Sequence, residues 1–515
     1  MTAQQLPAVR PPQAGEWEEL VAAALLGTER RPVPGSADSA AALLTRAALS
    51  TVHRRAGLRP APAEPLPGPA PEDPRPPLPE PARRRLALLL ADRGGTAGAN
   101  LVELLPQWLA TARARGYRLP APLVPALLDT ARARSELRAD AVALAGPLGH
   151  WLAARNPDWR FVLRTVPEAP ATAEQPGDGT GIWHEGLFAE RVTQLTRLRR
   201  RDPAAALELL RSTWATERAE DRLLFLDALQ ERLSSADEPF LEAALGDRSK
   251  NVRLTAAELL STLPGSALAA RMADRARAAV RLRPGPTGAA LTVRPPDECD
   301  AAMQRDGIAP KSPTGRGERA WWLGEIVAAA PLPLWAELTG LDPGQLLALP
   351  VDDGWGDDLR EAWARAAVRQ HDSDWARALL GPAPRPTDGA GRSAGAPAKL
   401  LAVLPPEERA AWAAAFVAAH GLGDAFQLLS ACTVPWSPRL GATVVGALAR
   451  AAGSGAYPWS HSGVLGMAER ALAPAAADEV EALVAAAEGG AAWTETFARL
   501  AGTLRFRAAM LAELG

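Results

Sequence analysis

The sequence predicts an all-α fold, a solenoid or an irregular stack of helical hairpins joined by Pro/Gly-rich linkers. Three observations carry that expectation. Apolar residues recur at helical spacing through most of the 515 residues. Alternating Val/Ile/Thr-rich runs, the mark of half-buried strands, are nearly missing. Ala and Leu, both strong helix formers, dominate the apolar set.

Taken in order, residues 1–59 hold two helices, Glu19–Leu26 and Asp38–Arg55, the second with Asp38 or Ser39 as N-cap. Residues 60–81 form a Pro-rich linker that can hold neither a helix nor a sheet ladder. A helical block spans 82–165, with LLPQWLATARARGY, PLVPALLDTARAR and ADAVALAGPLGHWLAAR each reading as a helix. Residues 166–182 are a second linker, and 183–280 a second helical block. Residues 281–317 are a Pro/Gly-rich connector in which Ala289–Val293 reads as a short extended piece. A Trp-rich helical block follows at 318–380, a low-complexity linker at 381–397, and a last helical block at 398–515.

Bulk properties exclude some classes. The formal net charge is −2, so the chain is neither a globally basic nucleic-acid binder nor an acidic solvating chain. Lysine occurs only at Lys250, Lys311 and Lys399, and arginine supplies the other cations. Cys299 and Cys432 lie far apart, with neither a disulfide framework nor CxxC spacing, which fits a reducing compartment. The N-terminal stretch MTAQQLPAVRPPQAGEWEE has no apolar signal core. The long uncharged run Ala451–Ala468 is broken by Gly, Ser and Pro, so it reads as a poor membrane span. A cytoplasmic protein is expected.

The clearest local pattern is DRSKNVRLTAAELLSTL, residues 247–263. On a helix, Val252, Ala256, Leu259, Leu260 and Leu263 fall on one face at i, i+4, i+7, i+8 and i+11. Asp247 or Ser249 suits its N-cap, and Pro264-Gly265 stops it. Upstream, Asp237 is placed to cap a shorter helix, with Pro239 in its first turn and Phe240, Leu241, Ala244 and Leu245 inward. Neither helix covers its apolar stripe alone, so 237–263 reads as a packed pair. Asp202 to Asp237 looks like a weaker copy, about 35 residues long, within the range of two-helix repeats.

The pattern Asp-x4-Val-Arg-x2-Ala-x3-Leu resembles the second helix of a HEAT repeat. The resemblance implies that Asp247 and Arg253 tie neighbouring repeats together, and that the fold is a HEAT-like α-solenoid. A wider likeness rests on ELVAAALLGTERRPVP (19–34), WLAARNPDWRF (151–161), GERAWWLGEIV (317–327) and TLRFRAAMLAEL (503–514). These blocks resemble those of the bacterial domain-of-unknown-function family 5691, whose members tend to be encoded near MoxR-type AAA+ ATPases and von Willebrand A-domain proteins. That likeness implies an accessory or adaptor role and carries no catalytic residues.

Sites of chemistry are hard to find. His53, His150, His184, His371, His420 and His461 form neither HExxH nor a metal cluster. His184-Glu185 begins such a motif, but Phe188 stands where the second His belongs. GRSAG (391–395) matches a nucleophile-elbow string but sits in an Ala/Gly/Pro tract without strand or helix. GDGTG (177–181) lacks the context of a dinucleotide fingerprint. DDGWGDD (352–358) fails calcium-loop spacing and reads as a helix start, with Asp358 and Glu361 as a capping box. No cofactor and no enzymatic activity are therefore expected.

Two features remain as interaction candidates. Arg191, Arg197, Arg199, Arg200 and Arg201 form a basic run on the helix of Phe188, Val192, Leu195 and Leu198. Several point outward, as a solvated face or as a contact for acid or nucleic acid. Trp321 and Trp322 lead a Trp-rich block that offers core packing or a partner groove. The expected function is a non-catalytic protein-interaction scaffold, accessory to a AAA+ ATPase or von Willebrand A-domain partner. The alternative is nucleic-acid binding through arginine-rich helix faces.

Overall fold

The computed structural model describes residues 16–32, 39–56, 67–91, 101–164, 183–184, 186–285, 288–313, 315, 317–381, 397–486 and 490–515. The described chain is mostly helical, as the periodicity requires, with one two-stranded hairpin among the described residues. It divides into two compact units, Met1–Ala70 and Pro71–Gly515.

The first unit pairs α1 (Glu16–Leu26) with α2 (Ser39–Ala56). Helix α1 starts a turn earlier than its apolar pattern indicates. Leu20 and Ala23 are buried, and the Arg54 guanidinium lies 4.8 Å over the Trp17 ring. Asp38 lies outside the described residues.

The second unit opens with α3 (Glu80–Ala91), α4 (Leu105–Ala114), α5 (Val124–Ala133), α6 (Arg138–Ala153) and α7 (Arg160–Arg164), around a core of Leu86, Trp108, Leu127 and Leu128. Residues 139–155 read as helical, and α6 forms there but is broken at Gly146, where φ is +54°. Pro147 supplies no N–H to the carbonyl of Ala143. Arg75 takes its place, donating from Nη1 to Ala143 O at 2.7 Å and from Nη2 to Leu144 O at 3.2 Å. Asp73 aims that guanidinium through Nε at 2.9 Å and Nη2 at 2.7 Å. A Cβ at residue 146 would stand 2.3 Å from Arg75 Nη2, so the break needs glycine both for its φ and for this approach. The Pro-rich stretch expected as a linker is therefore partly a clasp. Its end also pairs with Arg118, through Arg118 N to Pro76 O and Leu78 N to Arg118 O.

The next layers are α8 (Phe188–Arg201), α9 (Pro203–Thr213), α10 (Ala219–Ala228), α11 (Glu238–Ala244), α12 (Lys250–Ser261) and α13 (Ala267–Ala279). Helix α8 packs on α9 and α10, α10 on α12, α11 on α12, and α12 on α13. The hairpin β1 (Val280–Gly285) and β2 (Gly288–Val293) follows, antiparallel, with Leu282 opposite Leu291. The extended piece at 289–293 is thus one strand of a pair. Its partner was legible in Val-Arg-Leu-Arg, where apolar and charged residues alternate.

After α14 (Ala301–Arg305), helix α15 (Glu318–Ala329) packs on α13 and, past α16 (Pro333–Thr339) and α17 (Pro343–Leu347), on α18 (Gly356–Arg369). Helices α19 (Ser373–Leu380) and α20 (Pro397–Val403) complete that core. The last layers are α21 (Pro406–His420), α22 (Phe426–Ser430), α23 (Pro438–Gly453), α24 (Ser462–Ala471), α25 (Ala477–Ala486) and α26 (Ala491–Ala512).

Helix α26 joins two cores. Its first half, with Trp493, Phe497, Leu500 and Leu504, belongs to the core of α21–α25. Beyond Leu504, Met510 and then Leu514 belong to the core of α3–α7. Glu513 accepts from Arg85 Nε at 3.0 Å, Arg85 lies 4.3 Å over the Phe506 ring, and Tyr117 Oη donates to Leu514 O at 3.2 Å. An array stacked strictly in chain order would keep its first and last blocks apart. Here the first block packs on the last helix.

Candidate interaction surface

The 247–263 pattern folds as its spacing requires. Val252, Ala256, Leu259 and Leu260 are buried and Leu263 is half-buried. Asp247 Oδ1 accepts from Ser249 N at 2.8 Å and from Arg222 Nη2 at 3.0 Å, tying the start of α12 to α10 of the preceding pair. Arg253 instead turns onto its own loop, donating from Nη1 to the carbonyls of Asp247 and Arg248. Of the two ties implied by the HEAT resemblance, the aspartate reaches across and the arginine stays local.

Asp237 does not cap α11 with its side chain. Its carboxylate accepts from Ser234 N at 3.0 Å and from Arg199 Nη1 and Nη2 at 2.8 and 2.9 Å. Arg199, a member of the basic run, is 0% exposed. Its remaining N–H groups reach the carbonyls of Pro203, Leu229, Glu231 and Arg232, so one side chain gathers the whole 229–237 turn. The signal was present: Phe188, Val192, Leu195 and Arg199 stand at i, i+4, i+7 and i+11 on the apolar stripe.

The other arginines are also partly engaged. Arg191 pairs with Glu217, at 3.1 Å from Nη1 to Oε2, and lies over the rings of Trp183 and Phe225. Arg197 is half-buried, and burial lowers its pKa. Arg200 and Arg201 are exposed, Arg200 beside Glu231 at 3.0 Å. The basic face that the sequence offered thus narrows to the end of α8.

Trp321 and Trp322 act as internal pins. Their Nε1 atoms donate to Ala309 O at 3.2 Å and Pro310 O at 3.1 Å, fastening the connector to α15. Trp335, Trp363 and Trp375 pack together in the core, the first pair edge-to-face and the second tilted, with centroids 5.4 and 5.5 Å apart. In DDGWGDD, α18 begins at Gly356, so Asp358 lies inside the first turn rather than at the cap. GRSAG and GDGTG lie outside the described residues.

Among the described residues, no group of three or more His, Cys, Asp or Glu side chains could hold a metal ion. Burial pushes the Cys432 thiol up to about 11, and burial with Asp300 nearby also raises Cys299, so both are poor nucleophiles at neutral pH. No described helix is long and apolar enough to cross a membrane.

The surface feature that sequence reading missed lies in the uncharged run 451–468. Tyr457 and Trp459 are 64% and 74% exposed, with near-parallel rings 6.0 Å apart. The turn beneath them is held firmly. Buried Trp493 donates from Nε1 to Ala456 O at 2.6 Å, Ala456 N bonds Ala451 O, and Ser460 N bonds Tyr457 O. The exposed Phe426 ring lies against Gly463, one turn beyond Trp459, where a Cβ would stand 3.0 Å from the ring. In the separate first unit, Leu25, Leu44, Leu49 and Val52 are exposed as well.

A family model, a family of unknown function (DUF5691), matches residues 19–514. The chain belongs to this family. The match takes in both compact units and every described element except the first three residues of α1 and the final residue. No curated protein and no solved structure matches the chain.

Proposed function

We propose that this member of the family is a non-catalytic protein-interaction scaffold. Its helical pairs form a HEAT-like array, and it works in the cytoplasm beside a MoxR-type AAA+ ATPase and a von Willebrand A-domain protein. The observation that supports this reading best is the exposed Tyr457–Trp459 pair on its anchored turn. Large exposed aromatics on a rigid base are features of binding hot spots. The Asp247–Arg222 tie between successive pairs supports the HEAT-like part. Two free thiols suit a reducing compartment.

Pull-down of the full chain from its source cells, at low salt with nucleotide present, is expected to recover a AAA+ or von Willebrand A-domain protein in stoichiometric amount. Recovery of neither above background overturns the reading. Nucleic-acid binding is the competing reading, and Arg200 and Arg201 are what it would draw on. It predicts salt-sensitive binding to single-stranded or duplex DNA. Equal mobility with and without protein at low salt removes it.

A further inference from the structure

We propose that the α1–α2 hairpin is a homodimerisation element, two copies of this chain packing their hairpins into a four-helix bundle about a twofold axis. The inference goes beyond the scaffold reading and does not depend on it. The hairpin lies in its own compact unit, Met1–Ala70. On the inner side of α1, Leu20 and Ala23 are buried. Val21 and Leu25 lie on a second stripe, four residues apart, and Leu25 is 81% exposed. In α2, Leu44, Ala48 and Val52 fall at i, i+4 and i+8 and are all exposed, Leu44 at 73%. None of residues 39–55 is buried. Helices that are apolar on more than one side are normally covered on more than one side.

Size says what kind of cover is needed. The two helices run 11 and 18 residues. Below roughly 40 residues, folds usually need disulfides, a metal or oligomerisation. The unit contains no cysteine and a single histidine, His53, so it has neither a disulfide to make nor a set of soft ligands to offer. Oligomerisation is what remains, and a twofold axis lets the same apolar face cover itself.

Charge favours the same choice. Helix α1 carries glutamates and no cation, and α2 carries arginines and no acid. Arg54 over the Trp17 ring puts the start of α1 and the end of α2 at one end of the hairpin. Glu18 stands three residues before Val21, and Arg55 three residues after Val52, so each flanks an exposed stripe, and both are exposed. An axis parallel to the helices sets α1 of one copy beside α2 of the other, antiparallel, as in an up-down bundle. Glu18 of each copy then meets Arg55 of the other at the shared end, so the charges are complementary across the interface.

Sedimentation velocity of the full chain tests this. A species of twice the 54.2 kDa chain mass is expected, and L44D/V52D should be monomeric. E18R alone and R55E alone should each weaken the dimer roughly tenfold at low salt, since each sets like charges at both symmetric contacts. An equal mixture of E18R and R55E chains should recover the wild-type affinity, because opposite charges then meet at both contacts. That recovery needs two chains, and a variant that merely misfolds does not give it. A monomeric wild type overturns the proposal, as does a dimer that survives L44D/V52D, or a mixture no tighter than either variant alone. A monomer that floats with phosphatidylcholine–phosphatidylserine vesicles assigns the face to a bilayer and also overturns it. A monomer that still recovers a AAA+ or von Willebrand A-domain protein removes the dimer and leaves the scaffold standing.

Discussion

Replacing Asp237 with Ala strands a guanidinium that has no route to water. Arg199 is 0% and Asp237 1% exposed, and two charge-assisted bonds of 2.8 and 2.9 Å join them. Removing one partner of such a pair costs about 3–5 kcal/mol, because the remaining charge stays buried. The four backbone carbonyls on Arg199 soften the loss, so D237N, which keeps one acceptor, should cost less than D237A. The double variant R199M/D237L removes both charges but also the donor of the four carbonyls, so it should stay destabilised, by less than the sum of the two single losses. Native-state hydrogen exchange of the 229–245 amides is the assay. In D237A their exchange should quicken by roughly 150- to 4,000-fold, the same free energy at 1.4 kcal/mol per tenfold. A change below about tenfold in D237A, or a double variant whose loss equals the sum of the two single losses, refutes the claim that this pair fastens the turn.

Further outcomes follow from other contacts. R75A leaves the carbonyls of Ala143 and Leu144 without that donor, and should destabilise the first block by about 2–4 kcal/mol in urea unfolding followed by Trp fluorescence. G146A should be comparably harmful, since it combines a φ of +54° with a clash on Arg75. E513A should raise proteolysis within 80–164 before 183–380 is cut, because Arg85 loses its partner across the closing contact. The Cys432 thiol, raised to about 11 from 9.0 by burial, makes unfolding easier in alkali. The unfolded chain sheds that proton first, so this contribution is whole below pH 9 and is lost as pH rises toward 11. Urea midpoints across that range should fall less in C432A than in wild type.

Helical stripes were legible wherever burial is one-sided. Val252, Ala256, Leu259 and Leu260 show this, because their spacing alone decides which way they face. Arg199 belongs to the basic run by charge, but its spacing places it on the apolar stripe, and it is buried. The break in α6 had a visible cause in Gly146-Pro147, but the group that repairs it, Arg75, comes from 68 residues away and no local pattern announces it. The Tyr457–Trp459 corner was hidden for a similar reason. Neutral residues near aromatics usually mean core, and the bond that holds this turn comes from Trp493, 37 residues on in the chain. Trp321 and Trp322 illustrate the converse: their indole donors are taken up by a neighbouring connector that composition marks only as irregular.

The contact between Arg85 and Glu513 spans 428 residues. At translation speeds of about 5–20 residues per second, the α3–α7 core, complete at Arg164, would leave the ribosome roughly 17–70 s before the helix that covers it. During that interval the face that later receives Phe506, Met510 and Leu514 is bare and open to a chaperone.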